Sequence, residues 1–269
     1  MHSHIKDFYK ESSGSSDGCF HKVIALHESQ NVTWDEVSKI AKALPKGWFE
    51  LSRLQTSDRV EFTRDFWIAK LPYHPDLQEF LTRLFSSFED VFIFLVQKKI
   101  DDPFEAHLVY VLKNDGGFFK GCPPVSEEDV LKLQSDFPDI IFPQDYIAFL
   151  EIHNGFSKTT DCTGIYKSNQ MLQSFKKLQD DIVRVGQQIT NTKGLNINPH
   201  SLVPFYASFG MPFYQCFFKD WYPEDEMGNV YYSGSDNTIS NIENTDPGRE
   251  AMAFPTFSDW LIFYLETII

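Results

Sequence analysis

Residues 142–155, FPQDYIAFLEIHNG, constrain the fold more than any other part of this sequence. Pro143 can occupy the first position of a helix, where its missing N–H is not needed and its backbone angle is already suitable. Four side chains recur at the i, i+3, i+4 and i+7 spacing of one helical face: Tyr146, Phe149, Leu150 and His153. Asn154-Gly155 supplies a left-handed stop. We therefore expect a short helix, apolar on one side, at the centre of the C-terminal half.

Net charge is the next constraint, because the chain carries 24 Lys and Arg against 38 Asp and Glu, a balance of −14. Residues 122–269 hold 9 basic and 20 acidic residues, a net of −11, whereas residues 1–121 hold 15 and 18, a net of −3. An acidic surface repels nucleic acid and anionic lipid, so we expect neither as a partner. It is compatible with a basic protein partner, although acidic surfaces also simply keep proteins soluble.

The sequence lacks the patterns of membrane, secreted and metal-binding proteins. No apolar run approaches about 18 residues, the length of a membrane-spanning helix, and the polar N-terminus has no signal-peptide core. The four cysteines are scattered and form no C-x-x-C pair: Cys19, Cys122, Cys162 and Cys216. We expect a protein of the reducing cytoplasm with no metal and no cofactor.

Residues 1–121 predict a flexible tail followed by a small α+β domain. The tail covers residues 1–19 and includes the linker-like run SSGSS at residues 12–16. Thr33 and Asp76 mark the starts of two amphipathic helices. Two apolar strands over residues 91–96 and 106–112 then lead to the hinge Gly121-Cys122-Pro123-Pro124. We expect residues 20–121 to place a helical layer on a small antiparallel sheet, and we place the domain boundary at this hinge.

The segment that begins at Ser57 is compatible with two structures. As a helix, it would carry two apolar stripes, one formed by Val60, Trp67 and Leu71 and the other by Phe62 and Phe66. The alternative is a strand over residues 59–63, where apolar and polar side chains alternate.

Residues 122–269 predict a second α+β domain. Beyond the helix at residues 142–155, helices are expected after Ser126, over about residues 169–187 and after Thr256. Strands are expected over residues 202–207, 213–218 and 229–232, with a shorter one at 163–166. Pro204 implies that the first of the three lies at an edge or contains a bulge. Residues 190–200 have the composition of a loop.

This order of elements resembles the SUKH superfamily, also called the Smi/Knr family after its fungal cell-wall regulators. The resemblance covers about residues 123–269. It rests on VSEED at residues 125–129, FPQDYIAFL at 142–150 with Asn154-Gly155, VPFYA at 203–207, GNVY at 228–231 and FSDWL at 257–261. The turn after the first of the three strands departs from the acidic Asp-Gly-Gly type that is common in the family, since SFGMP stands there at residues 208–212.

The resemblance implies an α+β fold, with a mostly antiparallel sheet partly wrapped by helices. It also implies a protein-binding function without catalytic residues, since many bacterial members look like immunity proteins that neutralise toxin domains, and fungal members include a protein-binding hub. The family is usually a single domain, so it implies nothing about residues 20–121.

Three groups of residues could carry chemistry, and each also has an ordinary explanation. His153 could be a general base, but its position near the end of an apolar helical face favours a partly buried cap. Cys216 could be a nucleophile, but it lies between aromatic residues in a strand, as small buried side chains do. The acidic run at residues 219–228 lacks the alternating ligand spacing of a calcium loop. We therefore expect no catalytic residues.

Aromatic residues beside carboxylates predict a surface for a protein partner. Tyrosine and tryptophan are common anchors in protein interfaces. The candidate partner-binding residues are Asp220, Trp221, Tyr222, Glu224, Asp225, Glu226, Tyr231 and Tyr232. Because neighbours in a strand point to opposite faces, one residue of the pair Tyr231-Tyr232 must face away from the core. The ordinary explanation is that a further structural layer covers both.

The sequence thus favours a non-catalytic, cytoplasmic, acidic module that binds a basic protein, such as a toxin domain, through a concave sheet face and the loop at residues 219–228. One alternative is a hydrolase-type enzyme with a site near His153 and Cys216. Another is a scaffold in which the N-terminal domain contacts the partner.

Overall fold

A computed structural model describes residues 3–12, 19–158, 162–186, 188–191, 193–208, 210–223, 225–242 and 252–266. These ranges contain the helices α1 (Ser3–Phe8), α2 (Trp34–Ile40), α3 (Lys46–Leu51), α4 (Thr56–Lys70), α5 (Leu77–Ser86), α6 (Glu127–Asp136), α7 (Gln144–Leu150), α8 (Ser168–Val185) and α9 (Phe257–Glu266). They also contain the strands β1 (Lys22–Ala25), β2 (Phe88–Gln97), β3 (Glu105–Leu112), β4 (Phe118–Gly121), β5 (Phe156–Lys158), β6 (Thr163–Ile165), β7 (Ile189–Thr190), β8 (Asn196–Ile197), β9 (Leu202–Ser208), β10 (Phe213–Phe218), β11 (Asn229–Ser233), β12 (Thr238–Ile239) and β13 (Ala253–Phe254). The predicted α+β class is confirmed.

These strands form one sheet in the order β1-β2-β3-β4-β5-β6-β9-β10-β11-β12-β7-β8, with β13 paired to β11. Pairing is antiparallel throughout, except between β12 and β7, which are parallel. At the predicted hinge, β4 pairs with β5 through Phe119↔Lys158 and Gly121↔Phe156. The sheet is therefore continuous where the sequence places a domain boundary, and the division into two domains stays a prediction.

The largest hydrophobic cluster covers one face of this sheet and draws on both halves of the chain. Its centre is the indole of Trp67 in α4, which is 1% exposed. That ring meets Phe149 and Phe156 edge-on, with ring centroids 5.7 and 5.8 Å apart. Since Phe149 belongs to α7 and Phe156 to β5, a helix of the N-terminal half packs directly on the central helix of the C-terminal half.

Two smaller clusters lie on the opposite face, reached by alternate residues of the same strands. At one end, Tyr9 stacks on Phe94 of β2 at 3.9 Å between centroids, and Ile5 of α1 is fully buried beside them. At the other end, Cys216 of β10 packs with Leu178 of α8. The packing of α1 differs from the flexible tail predicted for residues 1–19, of which residues 1–2 and 13–18 lie outside the described ranges.

Capping residues predicted the helix starts well. The Ser126 hydroxyl accepts the backbone N–H of Asp129 at 3.1 Å, and the Thr256 hydroxyl accepts that of Asp259 at 3.0 Å. The expected helix over about residues 169–187 is α8, which ends at Gly186 in a left-handed conformation with φ of 67°. The strands expected at residues 91–96, 106–112, 202–207, 213–218 and 229–232 are β2, β3, β9, β10 and β11.

Helix α4 resolves the ambiguity after Ser57, and the strand alternative is wrong. Its buried face carries Arg59, Thr63 and Trp67, while Phe62, expected on an apolar stripe, is 57% exposed. The predicted stripe of Val60, Trp67 and Leu71 does face the main cluster, so Phe62 is the exception. Arg59 shares this buried face through its ion pair with Asp90 of β2. Periodicity of apolar residues cannot show a buried charge.

The central helix α7 is shorter than predicted. Pro143 is its N-cap rather than its first helical residue, and the helix ends at Leu150. The left-handed residue follows later, at Gly155, where φ is 99°. The bulge expected from Pro204 is present in β9, because Gln215 pairs with Tyr206 while its neighbour Cys216 pairs with Pro204. One residue, Phe205, is thus unmatched.

Candidate functional site

The acidic loop, residues 219–228, joins β10 to β11 and folds back on itself. The N–H of Trp221 donates to the carbonyl of Phe218 at 3.0 Å, and the N–H of Gly228 donates to the carbonyl of Trp221 at 3.0 Å. The Trp221 ring covers Gly228 so closely that a Cβ there would overlap it. Trp221 is therefore partly buried and acts as the internal support of the loop.

Other members of the predicted set do reach the surface from this loop. Tyr222 is 52% exposed, and Asp220 and Asp225 are exposed as well. Glu226 is half-buried, and burial, aided by the charge of Asp145, raises the pKa of its carboxyl. Glu224 lies outside the described residues. The acidic loop thus presents carboxylates beside one exposed tyrosine.

The adjacent tyrosines of β11 face opposite sides of the sheet. Tyr232 is 3% exposed, packs in the cluster around Cys216, and donates its hydroxyl to the Asn237 side chain at 3.3 Å. It offers no surface to a partner. Tyr231 is half-buried and turns to the other face, where its ring lies 5.9 Å from that of Phe213. The two candidates therefore occupy different environments.

Tyr231 lines a recess of about 340 Å³ between the sheet and α9, which we call the aromatic groove. Its aromatic walls come from Tyr206, Phe213, Tyr231, Trp260, Phe263 and Tyr264. The rings of Tyr206 and Trp260 lie 5.1 Å apart, and those of Trp260 and Tyr264 stack at 5.2 Å. The groove is therefore a preformed apolar recess with wide aromatic surfaces.

Uncharged polar groups complete the groove. The polar side chains among its described lining residues are Thr163, Ser208 and Gln215, besides the tyrosine hydroxyls. Gln215 is held by its neighbours, since its amide donates to the Asn229 side chain at 2.8 Å and to the carbonyl of Met252 at 3.1 Å. Asp, Glu, His, Cys, Lys and Arg are missing from that described lining. Such a recess is suited to binding and offers no acid–base pair.

His153 is part of the core and not of a surface site. It is 1% exposed, and its Nδ1–H donates to the carbonyl of Cys122 at 2.9 Å. Its Nε2 accepts the hydroxyl of Tyr110 at 2.6 Å, and that hydroxyl in turn accepts the indole N–H of Trp67 at 2.9 Å. Burial lowers the pKa of His153 to about 4, so the ring is a neutral structural link.

Cys216 is separated from His153 by the sheet itself. The thiol is fully buried in the cluster on the opposite face, and burial raises its pKa well above the usual range. A buried neutral thiol is a poor nucleophile. The described residues also include no group of three or more His, Cys, Asp or Glu side chains that could hold a metal ion. Sequence reasoning placed these two residues in one hypothetical site, and the structure does not bring them together.

A comparison with protein families gives one decisive match. The model described as the SMI1 / KNR4 family (SUKH-1) matches residues 124–262, which is more than half of the chain. The chain belongs to this family. The resemblance expected over about residues 123–269 is thereby confirmed, and it includes the acidic loop and most of the aromatic groove. A comparison with curated proteins finds no match.

Membership of the SMI1/KNR4 family supports a binding role of the toxin-immunity or regulatory kind. Over the ranges that the structure describes, no helix has both the length and the apolar character needed to cross a bilayer.

The family match ends near the groove, since Phe263 and Tyr264 directly follow the matched residues.

Sequence reasoning missed the aromatic groove, apart from Tyr231. A signal was present, because Tyr206, Phe213 and Tyr231 occupy one face of three successive strands. Their meeting depends on register, however, and the bulge in β9 reverses which side chains face the groove. Trp260 and Tyr264 lie on the buried face of α9, and only the structure shows that part of this face borders a recess.

Proposed function

We propose that this chain is a non-catalytic module of the toxin-immunity or regulatory kind that binds a basic protein through its aromatic groove and its acidic loop. The groove carries the proposal, because it is a preformed recess lined by aromatic and uncharged polar side chains. Pockets of this kind accept an anchoring side chain of a partner. Family membership supports the binding role in general terms.

A lysine or arginine side chain of the partner fits the groove best. A cation over an aromatic face gains about 0.5–2 kcal/mol, and the groove offers several such faces without a competing positive charge. Residues 122–269, which contain the matched region, have a net charge of −11, which would steer a basic surface toward them. The exposed carboxylates of Asp220 and Asp225 would contact the rim of that surface.

A non-catalytic role is consistent with the buried state of the candidate reactive groups. His153 hydrogen-bonds to two core partners, and Cys216 is buried on the other face of the sheet. We also propose a cytoplasmic location, which is supported by the four free cysteine thiols.

The test begins with capture of proteins from the source lysate on the immobilised full chain, at low and at moderate salt. The expected result is one basic protein, bound in stoichiometric amount and lost as salt rises. That protein is then purified, and its affinity is measured for variants of the chain. A captured protein does not by itself locate the binding surface, which is shown by the variants.

The groove variant carries Phe213→Leu and Tyr231→Leu, which remove aromatic faces and keep apolar volume. We expect the dissociation constant to rise about tenfold or more, because each lost cation–π contact removes up to about 2 kcal/mol. The matched control is Tyr73→Leu, at a tyrosine that is 94% exposed outside the matched region. Thermal unfolding of all variants separates loss of binding from loss of structure.

The loop variant carries Asp220→Asn, Glu224→Gln, Asp225→Asn and Glu226→Gln. We expect slower association and a weaker dependence of affinity on salt. Its matched control removes the same four charges from exposed helical positions of the N-terminal half, through Asp35→Asn, Glu50→Gln, Asp65→Asn and Glu79→Gln. If neither the groove variant nor the loop variant differs from its control, the proposed surface is wrong. Absence of any stoichiometric protein at both salt concentrations would contradict the binding role.

A further inference from the structure

A second recess, of about 290 Å³, lies beside the paired strands β3, β4 and β5. We call it the basic cleft. Its charged and titratable lining consists of Lys98, Glu105, His107, Lys120, Cys122 and Lys167. Lys98, Glu105, His107, Lys120 and Cys122 precede residue 124, where the family match begins. The cleft is therefore built jointly by the N-terminal half and the matched region.

One carboxylate in the cleft is shared by two lysines. Glu105 accepts the ammonium of Lys98 at 2.8 Å, and Lys167 lies 3.8 Å from its other oxygen. His107, whose Nε2 lies 3.9 Å from the carboxylate, and these two ammonium groups hold the pKa of the Glu105 carboxyl far below its usual range. Glu105 is thus ionised, and each of its carboxylate oxygens already has a lysine partner.

Lys120 has no such partner. Its ammonium makes neither a hydrogen bond nor an ion pair with the described residues. The ring of Phe8 lies 5.7 Å away, and the Glu105 carboxylate acts on the ammonium without pairing with it directly. The side chain is half-buried on β4, and burial lowers the pKa of its ammonium. A charge that is partly removed from water without a directly paired counterion is unfavourable by itself. An anion in the cleft would supply such a direct partner.

His107 contributes no charge to the cleft. It is 2% exposed, and burial lowers its pKa to about 4, so it is neutral at pH 7. Three lysines then face one carboxylate, which leaves the cleft with an excess of two positive charges. The cleft is therefore positively charged, although the whole chain has a net charge of −14.

The helix α8 adds to this positive field. Lys167 is its N-cap, and Gln170 in its first turn also lines the cleft. The helix is 18 residues long and has no acidic residue in its first turn. The N-terminal end of such a helix carries a partial positive charge. A neighbouring recess of about 400 Å³ shares Glu105, Cys122 and Lys167 and adds Lys39 and Lys42.

We propose that the basic cleft binds a small anion bearing phosphate or carboxylate groups, with Lys120, Lys98 and Lys167 as its ligands. A volume of about 290 Å³ is near the lower end for small-molecule pockets, so the cleft is suited to a small ligand rather than to a folded partner. The inference goes beyond the proposed protein-binding function and does not depend on it, because the cleft shares no residue with the aromatic groove or the acidic loop.

The test is calorimetric titration of the full chain with inorganic pyrophosphate and, separately, with citrate. Saturable binding of either anion with one site per chain is expected, and the preferred anion tells whether phosphate or carboxylate is recognised. Lys120→Met keeps the apolar stem and removes the charge. We expect it to weaken binding about tenfold or more, because hydrogen bonds between charged groups are the strong ones.

Lys132→Met is the matched control, since Lys132 is an exposed lysine on α6 that pairs with Asp136 outside the cleft. It should leave the affinity unchanged, and thermal unfolding should show both variants folded. Lys167→Met provides a second variant in case Lys120→Met fails to fold. Binding of neither anion at about 10 mM, or equal affinity of the Lys120, Lys167 and Lys132 variants, would overturn the proposal.

The pH dependence of binding gives an independent readout. Affinity should fall as pH rises through the lowered pKa of Lys120, and this fall should be absent in Lys120→Met. The other charged or titratable groups facing Lys120 across the cleft are Lys98, Glu105, His107, Cys122 and Lys167. An identical pH profile in the parent chain and in Lys120→Met would contradict the role of Lys120.

Discussion

Arg59 and Asp90 form a two-point ion pair between helix α4 and strand β2. The Nε and Nη2 atoms of Arg59 donate to the two carboxylate oxygens of Asp90 at 2.9 and 2.6 Å, and both side chains are about nine-tenths buried. The remaining Nη1 donates to the carbonyl of Leu54, and Thr56 donates to Asp90. Every strong polar group of the pair is therefore satisfied within the core.

Removing one partner of this pair should be strongly destabilising. Arg59→Met would leave the Asp90 carboxylate buried without its counterion, and such changes cost about 3–5 kcal/mol. Urea unfolding followed by circular dichroism measures the loss. The matched control is Arg83→Met, because Arg83 pairs with Glu266 in solvent, with 62% and 47% of the side chains exposed. The control should cost less than about 1 kcal/mol. Equal losses in both variants would contradict the structural role of the Arg59–Asp90 pair.

Two buried histidines should make the fold sensitive to acid. Burial lowers the pKa of His107 and of His153 to about 4, against about 6.5 in an unfolded chain. Above pH 6.5 both rings are neutral in both states and contribute no pH dependence. Between about pH 6.5 and 4 the unfolded chain takes up protons that the folded chain does not. Each histidine then lowers the free energy of unfolding by up to about 1.4 kcal/mol per pH unit.

Urea unfolding at a series of pH values tests this expectation. His153→Gln should lower stability at pH 7, because its ring links Tyr110 to Cys122, yet its loss of stability between pH 6.5 and 4 should be shallower. His21→Gln, at an exposed position, should leave the slope of the parent chain unchanged. If His153→Gln and the parent chain show the same slope, His153 is not the titrating group.

A methyl group at position 121 should disrupt the junction of the two halves. A Cβ on Gly121 would overlap the ring of His153, which is fixed by two hydrogen bonds and cannot move aside. We expect Gly121→Ala to cost about 1–3 kcal/mol, as overpacking in a core does. Gly47→Ala is the matched control, because Gly47 lies in α3 with open space around it and should gain about 0.5–1 kcal/mol. Equal effects of the two substitutions would disprove the tight contact.

Asp145 should position the helix that borders the aromatic groove. Its carboxylate accepts the backbone N–H of Ser258, in the first turn of α9, at 2.7 Å. Asp145→Ala would leave that buried N–H without an acceptor, at a cost of about 1–3 kcal/mol. Asp139→Ala, at an exposed position, should change stability by less than about 0.5 kcal/mol. The melting temperatures of the two variants are compared by thermal unfolding. Near-equal values would show that Asp145 does not hold α9.

Local signals predicted local structure in this chain. Caps such as Ser126 and Thr256 fix a helix start through bonds to residues three positions away, so the sequence contains the whole interaction. The same holds for the bulge at Pro204, whose ring removes a backbone donor. The family resemblance was also readable, because its motifs are short segments at such positions.

Interactions between distant residues could not be predicted in this way. Arg59 and Asp90 are separated by 31 positions, and the apolar pattern of α4 gives no sign that a buried ion pair shares its core-facing side. The aromatic groove depends on the register of three strands, and the basic cleft on pairing between β4 and β5. Of the predicted partner residues, Tyr222 and Tyr231 are accessible, whereas Trp221 supports its own loop and Tyr232 lies in the core.

The continuous sheet has a practical consequence for experiments on fragments. Strand β5 is three residues long and is held on one side by β4, which precedes residue 122. In a fragment that starts at residue 122, β4 would be missing. Strand β5 would then be an open edge with unpaired backbone groups, and the ring of Phe156 beside it would be uncovered. Exposed edges recruit other chains by strand addition and promote aggregation. Proteins that bind such a fragment could be adding a strand to the exposed edge of β5 rather than recognising the native surface. Binding experiments therefore need the intact chain, in which β4 covers this edge.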